Sequence, residues 1–68
     1  MIKLKYMSNT LKYYRIILRK VSFDADLFSK ELKKAYRHLS KEDSSQLYIW
    51  TLIFIKKHPH LIEVQYSF

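Results

Sequence analysis

The histidines near the carboxyl end of the chain have a spacing that could bind a metal. His58 and His60 flank Pro59, with Glu63 and His38 as imaginable third and fourth ligands. A structural zinc site requires four ligands, and no second close pair completes this set. We therefore expect no metal and no other cofactor. We interpret Pro59 as the residue that stops a helix, with surface histidines on either side.

Hydroxyl and carboxyl groups lie where helices should begin rather than where catalytic groups would meet. The serines have no fixed spacing from a histidine, and the pairs Asp24/Asp26 and Glu42/Asp43 suit the positive end of a helix dipole. The chain has no cysteine and no glycine, which excludes a thiolate nucleophile and a glycine-rich phosphate-binding loop. The sequence predicts that the protein is not an enzyme and takes no small-molecule substrate.

The basic residues are concentrated near the amino end. Residues 1–20 contain six Lys or Arg and no acid, which is most of the net charge of +7 over 68 residues. Such a segment is typical of proteins that contact a polyanion, although a solvated basic face is the alternative interpretation. Tyr13 is the candidate for stacking on a base. The candidate phosphate contacts are Lys12, Arg15, Arg19, Lys20, Lys30, Lys33, Lys34 and Arg37.

Apolar residues recur with helical periodicity in three segments, residues 9–21, 25–39 and 41–57. Each segment is preceded by residues that cap helices: Ser, Asn or Thr at positions 8–10, Ser or Asp between the first two segments, and Ser40 before the third. The first two segments are amphipathic. The third is apolar on nearly every side, so part of its surface should face a partner.

Alternating apolar and polar residues at both ends of the chain predict short strands. Residues 61–68 show the alternation clearly, and residues 1–7 show it more weakly. Because a single strand is not stable alone, these strands should pair with each other or with another chain. The predicted fold is mainly α, a small three-helix unit in one domain of residues 1–68, with short terminal β-strands that pair as an additional element.

No segment has the features of a secretory signal or a membrane span. Lys3 and Lys5 are not followed by an apolar stretch of about 7–15 residues. The longest apolar stretch, residues 47–55, is far shorter than the roughly 20 residues that cross a bilayer. We expect a cytoplasmic protein that makes no membrane contact.

A distinctive order of residue types spans residues 12–50. It consists of two adjacent tyrosines, the turn VSFD at residues 21–24, the run LFSKELKKA at residues 27–35, and Trp50. This layout resembles a group of short bacterial helical proteins to which no activity is assigned. The resemblance implies a compact helical fold and a bacterial, cytoplasmic origin, and it implies no activity.

Two functions from different classes fit these features. The leading hypothesis is a small, basic, non-enzymatic accessory protein that docks on RNA or a ribonucleoprotein such as the ribosome. The alternative is a protein–protein interaction module, either a homodimer or a small subunit of a larger complex. A chain of 68 residues has a small core that gains from a partner surface. The candidate interface residues are Ile16, Ile53, Phe54, Val64 and Tyr66.

Overall fold

Four helical segments make up the described part of the chain. The structure, a computed structural model, describes residues 8–67, and of residues 65–67 it describes the backbone alone. The mainly helical fold is confirmed, and each α-helix begins at its predicted residue and ends one residue early. The segments are α1 (Asn9–Lys20), α2 (Ala25–His38), α3 (Lys41–Lys56) and a 3₁₀ helix (Pro59–Ser67).

Side-chain caps define where each α-helix begins. Ser8, Asp24 and Ser40 have extended backbone, and their side-chain oxygens accept N–H groups of the following first turn. An uncapped first turn leaves N–H groups without a partner, so these oxygens fix the helix starts. Among the alternatives that the sequence leaves open, the structure selects Ser8 for α1 and Asp24 for α2.

A hydrogen bond ties the amino end of α1 to that of α3. The Ser8 hydroxyl donates to Asp43 Oδ2 at 2.6 Å, while its oxygen accepts the N–H of Leu11 at 3.0 Å. The N–H of Asp43 donates in turn to the Oγ of Ser40 at 3.1 Å. The amino ends of α1 and α3 therefore lie side by side. These two helices run in the same direction, and α2 runs antiparallel to both.

The core lies where the three α-helices meet the 3₁₀ helix. Phe28 of α2 is fully buried in this core, and the half-buried Phe54 of α3 lies parallel to it, with ring centroids 5.8 Å apart. Every element contributes at least one fully buried side chain, so all four helical segments share one hydrophobic core although the chain is short. The largest fully buried side chains are Phe28, Leu11, Leu18, Leu32, Leu47, Ile55 and Leu61.

A polar group lies at the edge of this core. Burial raises the pKa of the half-buried Tyr36 hydroxyl above its ordinary value, the side chain of Thr51 opposes that shift, and Tyr48 adds to it. Thr51 is itself buried in α3, between two buried apolar positions of the same helix. The folded protein therefore favours the neutral form of Tyr36.

The carboxyl-terminal segment corrects the strand prediction. The alternation predicts a strand over residues 61–68, whereas Pro59–Ser67 is a 3₁₀ helix. Leu61 and Val64 are buried and the two residues between them are exposed. Burial thus recurs every three residues, which is the period of a 3₁₀ helix and not of a strand. The predicted strand of residues 1–7 lies outside the described residues, as does the last residue of the chain.

Helix α3 is covered on one side only. Leu47 and Ile55 are buried, whereas Ile49 and Ile53 are 59% and 54% exposed. Part of α3 is therefore left uncovered by the described elements, and the expectation that a partner faces it stays a prediction. Across residues 8–67, no helix combines the length and the apolar character that a bilayer crossing requires.

Candidate nucleic-acid interface

The predicted basic residues of α1 lie on one side of a helix that has no acidic residue. Lys12, Arg19 and Lys20 are exposed, and Arg15 is half-buried. Arg19 and Lys20 lie in the last turn, where cations interact favourably with the negative end of the helix dipole. No carboxylate on α1 itself reduces the positive potential of this surface.

Two of these side chains are held against one aromatic ring. The Cζ atom of Arg15 lies 5.2 Å from the centroid of the Trp50 ring, and that of Arg19 lies 5.9 Å from it. Both distances fall within the cation–π range of about 6 Å. A guanidinium has N–H groups that can bind the oxygens of a phosphate in pairs. Trp50 therefore lies beside two groups whose chemistry suits phosphate.

The environment of Arg15 disfavours the charged form of its guanidinium group. Burial lowers the pKa of Arg15 below its ordinary value, and the positive charge of Arg19 lowers it further. Arginine nevertheless stays charged at neutral pH. Like charges one helix turn apart repel, and an anion bound between them relieves that repulsion. The pair is thus arranged to gain from an anionic ligand.

The positive surface continues from α1 across the flank of α3. Arg19 belongs both to a recess on α1 and to a groove of about 290 Å³ that α1 forms with α3. This continuity makes one surface out of residues from two helices. The groove is lined by Arg19, Trp50, Ile53, Phe54, Lys57 and His58. We define the basic groove as Lys12, Arg15, Arg19, Trp50 and Lys57.

A stack of rings supports the floor of the basic groove. The ring centroids of Trp50 and Phe54 lie 4.8 Å apart, and those of Phe54 and His58 lie 4.1 Å apart. The Nδ1–H of His58 donates to the carbonyl oxygen of Phe54 at 2.9 Å, which fixes the imidazole in the stack. Phe54 also packs against the core, so Trp50 rests on a rigid support.

Sequence reasoning missed the residues that α3 contributes to this surface. It gave Trp50 no role in binding, whereas Trp50 is half-buried, packs against the core and lies beneath the two arginines. It gave Lys57 and His58 no role in binding. The available signal was that Trp50, Phe54 and Lys57 recur at intervals of four and three residues, which places them on one flank of α3.

Tyr13 lies apart from the arginines. It faces the opposite flank of α1, packs edge to face against Tyr14 at 5.3 Å, and lines a recess that includes His38 of α2. The hydroxyl of Tyr14 forms a hydrogen bond with His38 Nδ1 at 3.0 Å. The predicted combination of Tyr13 with the arginines on one surface is therefore not formed. Trp50 is the aromatic group on the arginine side.

The basic residues of α2 form a second, separate surface with charges of both signs. Lys34 Nζ lies 3.5 Å from a carboxylate oxygen of Glu31, and Asp26 is exposed on the same helix. This surface lies opposite the buried side of α2, whereas the basic groove lies between α1 and α3. The structure thus does not bring the two predicted groups together. The exposed basic residues of α2 are Lys30, Lys33, Lys34 and Arg37.

The histidines make contacts within the protein. His60 Nε2–H donates to the carbonyl oxygen of Ser22, which joins the start of the 3₁₀ helix to the turn between α1 and α2. His58 lies in the ring stack of α3. Within residues 8–67, no three His, Cys, Asp or Glu side chains are grouped so that they could hold a metal ion.

The predicted partner-interface residues fall into different environments. Ile16 is 51% exposed beside the basic groove, Ile53 is also exposed, and Phe54 is half-buried against the core. Val64 is 4% exposed and packs inside the chain's own core, so it cannot meet a partner in this structure. The side chain of Tyr66 is not among those that the structure describes.

Comparison with protein-family models, curated proteins and solved structures finds no match to this chain. The resemblance to short bacterial helical proteins stays a prediction. The geometry of the described residues is therefore the basis for assigning a function.

Proposed function

We propose that this protein docks on RNA, free or within a ribonucleoprotein such as the ribosome, through the basic groove and without catalysing a reaction. The observation that carries the proposal is the placement of Arg15 and Arg19 over Trp50. A pair of guanidinium groups beside one aromatic ring, with Lys12 and Lys57 nearby, matches the chemistry of a phosphate backbone.

The form of the groove favours a charged polymer over a small anion. On α1, cations recur about once per helix turn, or roughly every 5.4 Å, along a line from Lys12 to Arg19. The groove is open and extends onto α3 at Lys57. A linear series of cations contacts several phosphates in succession. Such contacts give affinity that depends strongly on salt and weakly on base sequence.

The test measures the binding of a short, labelled, single-stranded RNA by fluorescence anisotropy as a function of salt. The variant carries Lys12→Gln, Arg15→Gln and Arg19→Gln together. Each phosphate contact on a single strand contributes about 0.7 to the slope of log K against log salt, so the slope should fall by about 2. At about 0.1 M salt, the same arithmetic predicts roughly 100-fold weaker binding.

The matched control removes three positive charges from α2 through Lys30→Gln, Lys33→Gln and Arg37→Gln. Because these residues lie outside the basic groove, we expect a much smaller loss of affinity. Equal losses in both triple variants would show that net charge, and not the groove, determines binding. Wild-type protein that binds no RNA at low salt would also exclude the proposal. Circular dichroism confirms that both variants keep their helices.

A further inference from the structure

The outer side of α3 carries a row of residues with the spacing of a coiled-coil seam. The row lies opposite the buried side of the helix, and every member is exposed. Its positions are separated by four, three, four and three residues, which is the interval of contacts between two packed helices. We define the outer stripe as Glu42, Gln46, Ile49, Ile53 and Lys56.

The charges of the outer stripe are ordered along the helix. Glu42 lies in the first turn of α3 and Lys56 in the last, with Ile49 and Ile53 between them. Reversing the direction of such a stripe exchanges its acidic and basic ends. Two copies packed antiparallel with Glu42 of each near Lys56 of the other are centred on Ile49, which meets its own copy, while Ile53 faces Gln46. The charged ends and the centre of the stripe are therefore complementary to the reversed stripe.

A hollow beside the stripe can receive a side chain from a second helix. It has a volume of about 420 Å³ and lies between the outer side of α3 and the 3₁₀ helix. Lys56 and the exposed Ile62 form part of its wall. An isoleucine of a second helix inserts between such residues as a knob into a hole. In this register the amino-terminal half of the copy's α3 covers the hollow, and Ile49 of the copy lies at its edge.

We propose that two copies of this chain associate through their outer stripes, with the two α3 helices antiparallel. Ile49, Ile53 and Ile62 of this face are 59%, 54% and 45% exposed, so the apolar patch is small. Two such faces bury less than the roughly 1,200 Å² of a standard interface, so the dimer is reversible and depends on concentration. This inference does not rest on RNA binding, although Ile53 also lines the groove beside Arg19.

The first test is sedimentation equilibrium of the full chain, free of nucleic acid, over a wide range of concentration. We expect the mass to rise from 8.4 kDa toward twice that value. Ile49→Glu should abolish the rise. Ile16→Glu is the matched control, because Ile16 is similarly exposed but lies on α1. A wild type that stays monomeric at the highest concentration overturns the proposal, as does an equal effect of both substitutions.

The second test exchanges charges along the stripe and does not depend on an isoleucine variant folding. Glu42→Lys and Lys56→Glu alone should each weaken association about 10-fold, because a two-fold dimer contains each contact twice. The double variant Glu42→Lys/Lys56→Glu should restore it, since the ends again carry opposite charges. A double variant that associates as weakly as the single ones rules out the antiparallel arrangement.

Discussion

Replacing Ser8 with alanine should destabilise the protein more than the loss of an ordinary helix cap. The Ser8 oxygen accepts the N–H of Leu11, and its proton is donated to Asp43 at 2.6 Å. Loss of a serine cap costs about 1 kcal/mol. A hydrogen bond to a charged group contributes about 1.5 kcal/mol at the lower end of its range, which suits this partly buried site. We therefore expect Ser8→Ala to cost about 2.5 kcal/mol.

That cost is large for a chain of this size. At about 0.05–0.15 kcal/mol per residue, the free energy of unfolding lies between roughly 3 and 10 kcal/mol. A domain of this length loses about 4–8 °C in Tm per kcal/mol, so Ser8→Ala should lower Tm by about 10–20 °C. Thermal unfolding followed by circular dichroism measures this directly. Ser45→Ala, at an exposed position of α3, should stay within about 0.5 kcal/mol of wild type.

Two further variants separate the cap from the link between helices. Aspartate caps helices about as well as serine, but Ser8→Asp would remove the donor and place a second carboxylate beside Asp43. It should therefore be clearly less stable than wild type. In a double-mutant cycle, Ser8→Ala and Asp43→Ala should show a coupling of about 1 kcal/mol. Additive effects, or a Ser8→Asp protein as stable as wild type, would refute the proposed link.

Three other predictions concern the core and the groove. Phe28→Ala should cost about 3–5 kcal/mol and leave much of the chain unfolded by circular dichroism, whereas Leu27→Ala, at the partly exposed neighbour, should not. The raised pKa of Tyr36 means that the folded state retains the proton longer than the unfolded state. Its stabilising contribution is therefore present below the unfolded pKa of about 10 and is lost as pH rises through the folded value. Thermal unfolding between about pH 9 and pH 11 should show a steeper loss of Tm in wild type than in Tyr36→Phe. Trp50 is the single tryptophan, so the tryptophan fluorescence of the protein should change on RNA binding, in step with the anisotropy of the labelled RNA. At high salt the fluorescence should return to that of the free protein. Unchanged fluorescence at saturating RNA would mean that the RNA binds away from Trp50.

Helix positions could be predicted because their signals are local. A cap such as Ser40 and the apolar period that follows it act within one or two turns, so they define a helix without knowledge of its neighbours. The carboxyl-terminal segment that forms the 3₁₀ helix had no such local signal for its secondary structure. Its apolar residues fit an alternation of two, and the burial of Leu61 and Val64 at an interval of three appears only where the segment packs on α2 and α3.

The basic groove could be predicted only in part, because it combines residues from two helices. The periodicity of α1 gives the angular positions of Lys12, Arg15 and Arg19, but it does not say which flank meets α3. That orientation decides whether Tyr13 or Trp50 accompanies the arginines. It is set by tertiary contacts, among them the link from Ser8 to the amino end of α3.

The geometry of the antiparallel dimer connects it to the basic groove. The two-fold axis of such a dimer is perpendicular to both α3 helices and to the line that joins them. Rotation about this axis reverses the helix direction but keeps each flank on the same side of the pair. The flank of α3 that carries Trp50 and Lys57 therefore has its symmetry copy on the same face of the dimer, and the two basic grooves open toward the same side.

One RNA strand that spans both grooves would bind with the effective concentration of a linked pair of sites. Weak association through Ile49 and Ile53 would then increase affinity for long RNA far more than for short RNA, without any additional phosphate contact in either groove.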